Sequence, residues 1–248
     1  MTGETVVTVV DGVQLHSYVV GRPDRGELVM VPGLCVSFYL RPAADALADV
    51  GYRVHLVDPP GWPHSAALAA APESVGELAS WLVRWLTETG LRDISLVGQS
   101  FGAQLAAHVA VACPERIRLL VLQGPTFDPA YRTLPRAMAR LLRDFPRERP
   151  SLLLVEGPEW LRVGLRQVLA MARLGLRDRL ENTMQAVSVA TVVVVGEHET
   201  LATRAWSRSL VGGDPDGRHH VVMPGLPHSS PHADPAGFAR LMRELRLR

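Results

Sequence analysis

The apolar positions of this chain fall into short runs, separated by glycine, proline and charged residues. Thr5 to Val10 and Gln14 to Val20 are β-rich and are split by Asp11-Gly12, a two-residue hairpin signal, so they predict an antiparallel edge. Leu28 to Val31 reads as a short buried strand. Tyr52 to Val57, Ile94 to Gln99 and Ile117 to Gln123 read as further strands. Thr191 to Val195 is a continuous β-branched run, the pattern of a strand covered on both faces, and His219 to Met223 follows it. Helical spacing fills the gaps. Leu40, Ala44, Leu47 and Val50 share one face of residues 38–50, and Gly51 stops that helix. Trp81, Leu82 and Trp85 mark the inner side of residues 73–89, and helices are predicted at 103–113, 202–210 and 235–247. Strands alternating with helices at this spacing imply an α/β fold, with a mostly parallel twisted sheet and right-handed crossovers.

The alternation breaks at Gly124. From there to about Val189 only helical patterns occur. Tyr131, Leu134, Met138, Leu141 and Phe145 share a face, as do Trp160, Val163, Val168, Met171 and Leu174, with Pro146, Pro150 and Pro158 as punctuation. Residues 124–189 are therefore expected to be a helical insertion, a cap, in a core built from 1–123 and 190–248. Arg132, Arg136, Arg140 and Arg143 run along the cap at near-helical spacing and read as a solvated face whose stems shield apolar surface.

Composition narrows the setting. The chain has 248 residues, 47% hydrophobic and 21% charged, enough for a full globular core. It contains no lysine, so its 26 basic residues are all arginine, and the net charge of +1 gives no reason to expect nucleic acid or an anionic membrane as partner. Two cysteines, Cys35 and Cys113, fit free thiols in a reducing compartment. Met1 to Val10 lacks the basic and apolar regions of a signal peptide, and no run is long enough to span a membrane. A cytoplasmic enzyme acting on a small-molecule substrate is expected, with no metal and no cofactor. The arginine-rich cap leaves room for a homodimer.

The candidate chemistry starts at Gly98-Gln99-Ser100-Phe101-Gly102, between the Ile94 strand and the small-residue helix from Ala103. Gly-x-Ser-x-Gly in a strand–turn–helix context presents a serine on a sharp turn beside the positive end of a helix. A serine hydroxyl needs a base, and the base needs an orienting acid. His228 follows the 219–223 strand across Pro224-Gly225-Leu226-Pro227, which places it at the same sheet edge as Ser100. His232, on the same loop, is the second candidate; His16 and His108 fall inside predicted elements. Glu199, three residues beyond Gly196, is the candidate acid, and Asp128, just past the 117–123 strand, is the alternative. Glu197 is suited to capping the loop. An oxyanion needs two backbone N–H donors, assigned to Phe101 and to Leu34 after Pro32-Gly33.

With these pieces on the page, the chain resembles an α/β-hydrolase with a helical cap over nearly its whole length. The matching segments are Val31-Pro32-Gly33-Leu34, Asp58-Pro59-Pro60-Gly61-Trp62-Pro63-His64-Ser65, Gly98 to Gly102, Val194 to Glu199, and Leu226-Pro227-His228-Ser229 with Pro235 beyond. The order serine, acid, histidine agrees with that family. Pro32 stands where the family usually has histidine, Pro63 where it has glycine, and Glu199 where aspartate is commoner. Ser100 sets the chain apart from the haloalkane-dehalogenase and epoxide-hydrolase branches, which carry aspartate at the elbow. The resemblance implies an esterase- or lactonase-like serine hydrolase of an ester, thioester or lactone, using an acyl-enzyme. Two other outcomes fit the same pocket: biosynthetic acyl transfer, cyclisation or C–C bond cleavage, and ligand binding without catalysis. Cys35, Trp62, Met138 and Trp160 are expected to line a largely apolar substrate pocket, with His64 near its rim.

Overall fold

The computed structural model describes residues 2–212 and 218–245. Eight strands form one sheet: β1 (Glu4–Val10), β2 (Val13–Val20), β3 (Glu27–Val31), β4 (Arg53–Val57), β5 (Ile94–Gln99), β6 (Ile117–Gln123), β7 (Thr191–Gly196) and β8 (Arg218–Met223). Their order is β1-β2-β4-β3-β5-β6-β7-β8. The β1–β2 hairpin and the β2–β4 pair are antiparallel, and every later pair is parallel.

Ten helices accompany the sheet among the described residues: α1 (Arg41–Asp49), α2 (Val75–Thr89), α3 (Phe101–Ala112), α4 (Leu134–Asp144), α5 (Pro150–Val163), α6 (Leu165–Arg177), α7 (Leu180–Ala186), α8 (Arg204–Val211), α9 (Ser230–Ala233) and α10 (Pro235–Leu245). The predicted end of the last helix at Leu247 lies outside the described residues.

The continuous apolar runs are explained by burial on both sides of the sheet. Val29, Val31, Val193 and Val195 pack with α2, α3 and α8 on one face, while Leu28, Met30, Val192 and Val194 pack with α1 and α10 on the other. Alternate residues of one strand thus serve two cores, so no polar face remains to break the run. Residues 38–50 are less regular than their periodicity suggests: Phe38–Leu40 is a 3-10 turn, and the α-helix begins at Arg41. Trp81 lies at the margin of its core, only partly buried, with Arg84 over its ring at 4.2 Å.

The insertion holds α4 to α7 and no strand. The single face expected from Trp160 to Leu174 is instead shared by two helices, because Gly164, at φ 88°, ends α5 and starts α6. Pro158 does not terminate a helix; it sits inside α5. Gly157 before it has no Cβ to meet the proline ring, and nothing else lies within 4 Å of that position. The arginine row is not wholly solvated. Arg132 donates to both carboxylate oxygens of Glu181, at 2.8 and 2.6 Å, and its side chain is 6% exposed.

Sequence-consecutive β3 and β4 lie on one side of the β3–β5 boundary and β5, β6, β7 and β8 on the other. The carboxyl ends of β3 and β5 therefore flank the crevice where such sheets bind ligands. The turn from β5 into α3 closes over that crevice, with Ser100 at φ 58°, ψ −119°. This fit requires two glycines. A Cβ on Gly98 would stand 2.3 Å from the Gly102 carbonyl oxygen, and one on Gly102 would stand 2.2 Å from that of Val31. Both obstacles are backbone and cannot rotate away. Gly102→Ala should therefore cost about 3 kcal/mol or more in urea denaturation. Gly76→Ala, in the first turn of α2 with only ordinary contacts to His108 at 3.4 Å, should change stability by about 1 kcal/mol at most, on the favourable side.

Candidate active site

Three loops at the carboxyl edge of the sheet bring Ser100, His228 and Glu199 into one line. His228 Nε2 lies 3.0 Å from Ser100 Oγ, and His228 Nδ1 lies 2.6 Å from Glu199 Oε2. An ionised Glu199 accepts only, so Nδ1 carries a proton, and in the neutral ring Nε2 accepts from the serine hydroxyl. Glu199 is held from behind: its Oε1 accepts the amides of Leu201 at 2.6 Å and Ala202 at 3.0 Å. This amide clamp orients the longer side chain of a glutamate so that its other oxygen meets the imidazole. The histidine loop is fastened by Gln123, whose Nε2 donates to the His228 carbonyl at 2.9 Å and to Ser230 Oγ at 2.8 Å.

The competing residues are committed elsewhere. Asp128, the alternative acid, caps the following turn by accepting the Ala130 amide at 2.9 Å, and accepts from Thr203 Oγ1 at 2.5 Å. His232 lies on α9; its Nδ1 donates to the Tyr39 carbonyl at 2.9 Å and its Nε2 accepts from Ser151 Oγ at 3.0 Å. Glu197 accepts the Gly225 amide at 2.9 Å, the capping role its position suggested.

A cavity of about 860 Å³, counting its open mouth, lies over Ser100 and His228. Leu34, Phe101, Met138 and Trp160 line it; Met138 is 43% exposed and marks the rim. Phe101 opens α3, where a helix leaves its first amides without intrahelical partners. Cys35 and Trp62 do not line this cavity. Cys35 is fully buried behind the β3 loop, and burial pushes its thiol up to about 12. Trp62 packs against Phe101 with ring centroids 5.8 Å apart and donates its indole N–H to the Gly33 carbonyl at 2.8 Å. Both buttress the loop from beneath because the chain turns their side chains into the core. His64 is also locked away from the rim, stacked on Phe38 with centroids 4.0 Å apart and bound to Glu159 at 3.0 Å.

The sequence reading missed a set of carboxylates from the cap. Glu159 on α5 accepts the amides of Ser37 at 2.8 Å and Phe38 at 3.2 Å, while Trp160 beside it donates to the Leu34 carbonyl at 3.0 Å. These contacts tie the cap to the loop after β3. Asp144, Glu148 and Glu156 line the cavity itself. Asp144 Oδ2 faces the His228 amide at 3.4 Å, and Glu148 accepts the Ser229 amide at 2.7 Å. In sequence these acids look like ordinary polar residues of amphipathic helices, and only the docking of the cap buries them.

Their burial sets the local electrostatics. Desolvation raises Asp144, Glu148 to about 7 and Glu156 to about 8; it likewise raises Asp58 to about 7. Burial works against a charged His228, but the Glu199 charge and hydrogen bond, helped by Asp144 and Glu148, outweigh it and push the ring up to about 9. The neutral ring needed to take a serine proton is therefore favoured by alkaline conditions.

Each of these acids holds its proton more tightly folded than unfolded. Stability is full below the unfolded carboxylate values and is lost as pH rises through the folded ones. The melting temperature should fall between pH 5 and pH 8. Glu156→Gln should raise it at pH 8, by an amount on the order of a few kcal/mol in stability, and leave it nearly unchanged at pH 5. Thermal denaturation at the two pH values measures this. Glu199→Gln and Asp128→Asn should also part company. The first should reduce turnover of an ester substrate by about 10³-fold or more, and the second by less than about tenfold, as measured by kcat/KM.

Comparison with known proteins agrees with the topology. Residues 27–213 match the profile of the alpha/beta hydrolase fold family. The chain is 32% identical over 154 residues to a 2-hydroxy-6-oxononadienedioate/2-hydroxy-6-oxononatrienedioate hydrolase from Burkholderia vietnamiensis, covering 58% of this chain and 53% of that protein. A hydrolase of the same name from Cupriavidus pinatubonensis is 28% identical over 205 residues, 71% of this chain and 70% of that protein. The first of these alignments thus spans about half the length of the relative. Among solved structures, the enol-lactonase from Burkholderia xenovorans LB400 superposes with a TM-score of 0.77 at 19% identity, covering 98% of this chain and all of the other. No helix among the described residues is long and apolar enough to cross a membrane. The profile covers well over half of the sequence, and the sheet order, the elbow and the cap insertion accompany it: the chain belongs to the α/β hydrolase fold family.

Proposed function

We propose that this protein is a serine hydrolase that cleaves an ester, thioester or lactone of a small, largely apolar molecule through an acyl-enzyme. The observation that carries the reading is the unbroken hydrogen-bonded line from Glu199 through His228 to Ser100, opening on a cavity. Ser100 Oγ attacks the carbonyl carbon as its proton passes to His228 Nε2. The negative charge that forms on the carbonyl oxygen is met by the amides of Leu34 and Phe101. The tetrahedral intermediate collapses, the C–O or C–S bond to the leaving group breaks, and His228 returns the proton to that group. Water then gives a proton to His228 as it attacks the acyl carbon; the bond from that carbon to Ser100 Oγ breaks, and His228 returns the proton to Ser100 as the carboxylic acid leaves. Glu199 stays ionised throughout and steadies the imidazolium.

Carbon–carbon cleavage is the second reading, favoured by the likeness to the dienedioate hydrolases. The substrate in those names carries two carboxylates. Among the described residues the cavity is lined by Asp144, Glu148 and Glu156 and by no arginine, so such a dianion would meet no guanidinium counter-ion there and would oppose ionisation of the three acids. The enol-lactonase likeness speaks for the fold alone.

A fluorophosphonate probe should label the unaltered protein, and neither Ser100→Ala nor His228→Ala should be labelled at a comparable rate. p-Nitrophenyl esters of graded chain length and simple lactones should be turned over in preference to a 2-hydroxy-6-oxo-dienedioate. A folded protein that resists labelling, or that prefers the dienedioate, contradicts the proposal.

A further inference from the structure

The cavity is largely apolar, and apart from the polar residues around Ser100 and His228 its ionisable groups lie along one wall of the cap. Leu152, Glu156 and Trp160 recur every fourth residue of α5, which places them on one face of that helix, and all three line the cavity. Glu156 is 9% exposed, and no hydrogen bond or ion pair from a described residue reaches its carboxylate. A carboxyl placed there without a protein partner is free to pair with a ligand in the cavity. Its neighbours on the wall, Asp144 and Glu148, are also acids and supply no positive charge. Glu159, one residue before Trp160, is already satisfied by the Ser37 and Phe38 amides. Among the described residues no three such side chains converge closely enough to hold a metal ion. An unpartnered acid one helical turn from an indole on the same cavity wall is instead the chemistry that receives an organic ammonium, by charge-assisted hydrogen bonding and by cation–π attraction.

We propose that the substrate carries a protonated amine on an otherwise apolar chain, and that Glu156 and Trp160 receive the ammonium while the acyl carbon lies at Ser100. The reaction at that carbon rests on the hydrolase reading above; the recognition of the amine does not. Burial and the charges of Glu148 and Glu159, against that of His228, push Glu156 up to about 8, and an entering ammonium favours its ionised form. No arginine among the described residues lines the cavity; a guanidinium there would repel this ligand and pair with Glu156 in its place.

Two esters of matched shape test the proposal: methyl 6-(dimethylamino)hexanoate and methyl 7-methyloctanoate. They differ in having a protonated nitrogen or a C–H at the branch. Binding is measured by calorimetry on Ser100→Ala protein, so that turnover does not enter. The amino ester should bind about tenfold tighter or more. In Ser100→Ala/Glu156→Gln the ratio should fall to near one, with Trp160→Leu giving an intermediate loss. Circular dichroism and melting of each variant confirm a folded protein. Because Glu156→Gln relieves a buried acid, that variant is expected to fold. Equal binding of the two esters overturns the proposal, and so does a preference that survives Glu156→Gln. Fluorophosphonate labelling of unaltered protein reports on Ser100 separately. An inert Ser100 with an intact amine preference would overturn the hydrolase reading and uphold this one, whereas a labelled Ser100 with no preference does the reverse.

Discussion

The site depends on one short contact, the carboxylate of Glu199 against the imidazole of His228 at 2.6 Å, with the acid side chain wholly buried. A buried carboxylate is tolerable only with donors around it, and Glu199 has three: the ring and the amides of Leu201 and Ala202. The contact fixes which nitrogen of the ring holds the proton and aims the other at Ser100. It also joins the loops that leave β7 and β8, which are parallel neighbours in the sheet. The sheet supplies the adjacency and the elbow supplies the serine. Without the ion-pair hydrogen bond, the ring would be free to turn away from both.

The cap adds a different constraint. Glu159 and Trp160 reach from α5 to the backbone of the loop after β3. The helix that roofs the cavity is thereby fastened to the loop that carries Leu34. Docking the cap encloses Asp144, Glu148 and Glu156 around a mostly apolar space. Their raised protonation equilibria follow from that enclosure.

Much of this was legible in the sequence, for identifiable physical reasons. The two-sided burial of the sheet writes itself as uninterrupted runs such as Thr191 to Val195. The elbow glycines are legible because backbone crowding admits no other residue. His228 was separable from His232 by its distance from the strand end. The choice between Glu199 and Asp128 was open, because each follows a strand, and only the Thr203 hydroxyl and the Ala130 amide show Asp128 to be engaged elsewhere. Cys35 and Trp62 were expected at the pocket from adjacency in sequence, whereas the turn sends their side chains beneath the loop. The cap acids left no trace, since a glutamate on an amphipathic helix has the same pattern whether it meets water or a docked partner. Pro158 was misleading because a proline inside a helix and a proline ending one look alike from sequence alone.

The central claim is that Glu199 and His228 share a strong, buried hydrogen bond that orients the ring toward Ser100. Proton NMR of the unaltered protein tests it most directly, through the far-downfield resonance of an imidazole N–H held by a carboxylate. The account predicts such a resonance in the unaltered protein and in Ser100→Ala and Asp128→Asn, and its disappearance in Glu199→Gln and His228→Ala. A resonance that survives Glu199→Gln, or that vanishes in Asp128→Asn, would show that another acid holds the ring and would contradict the account.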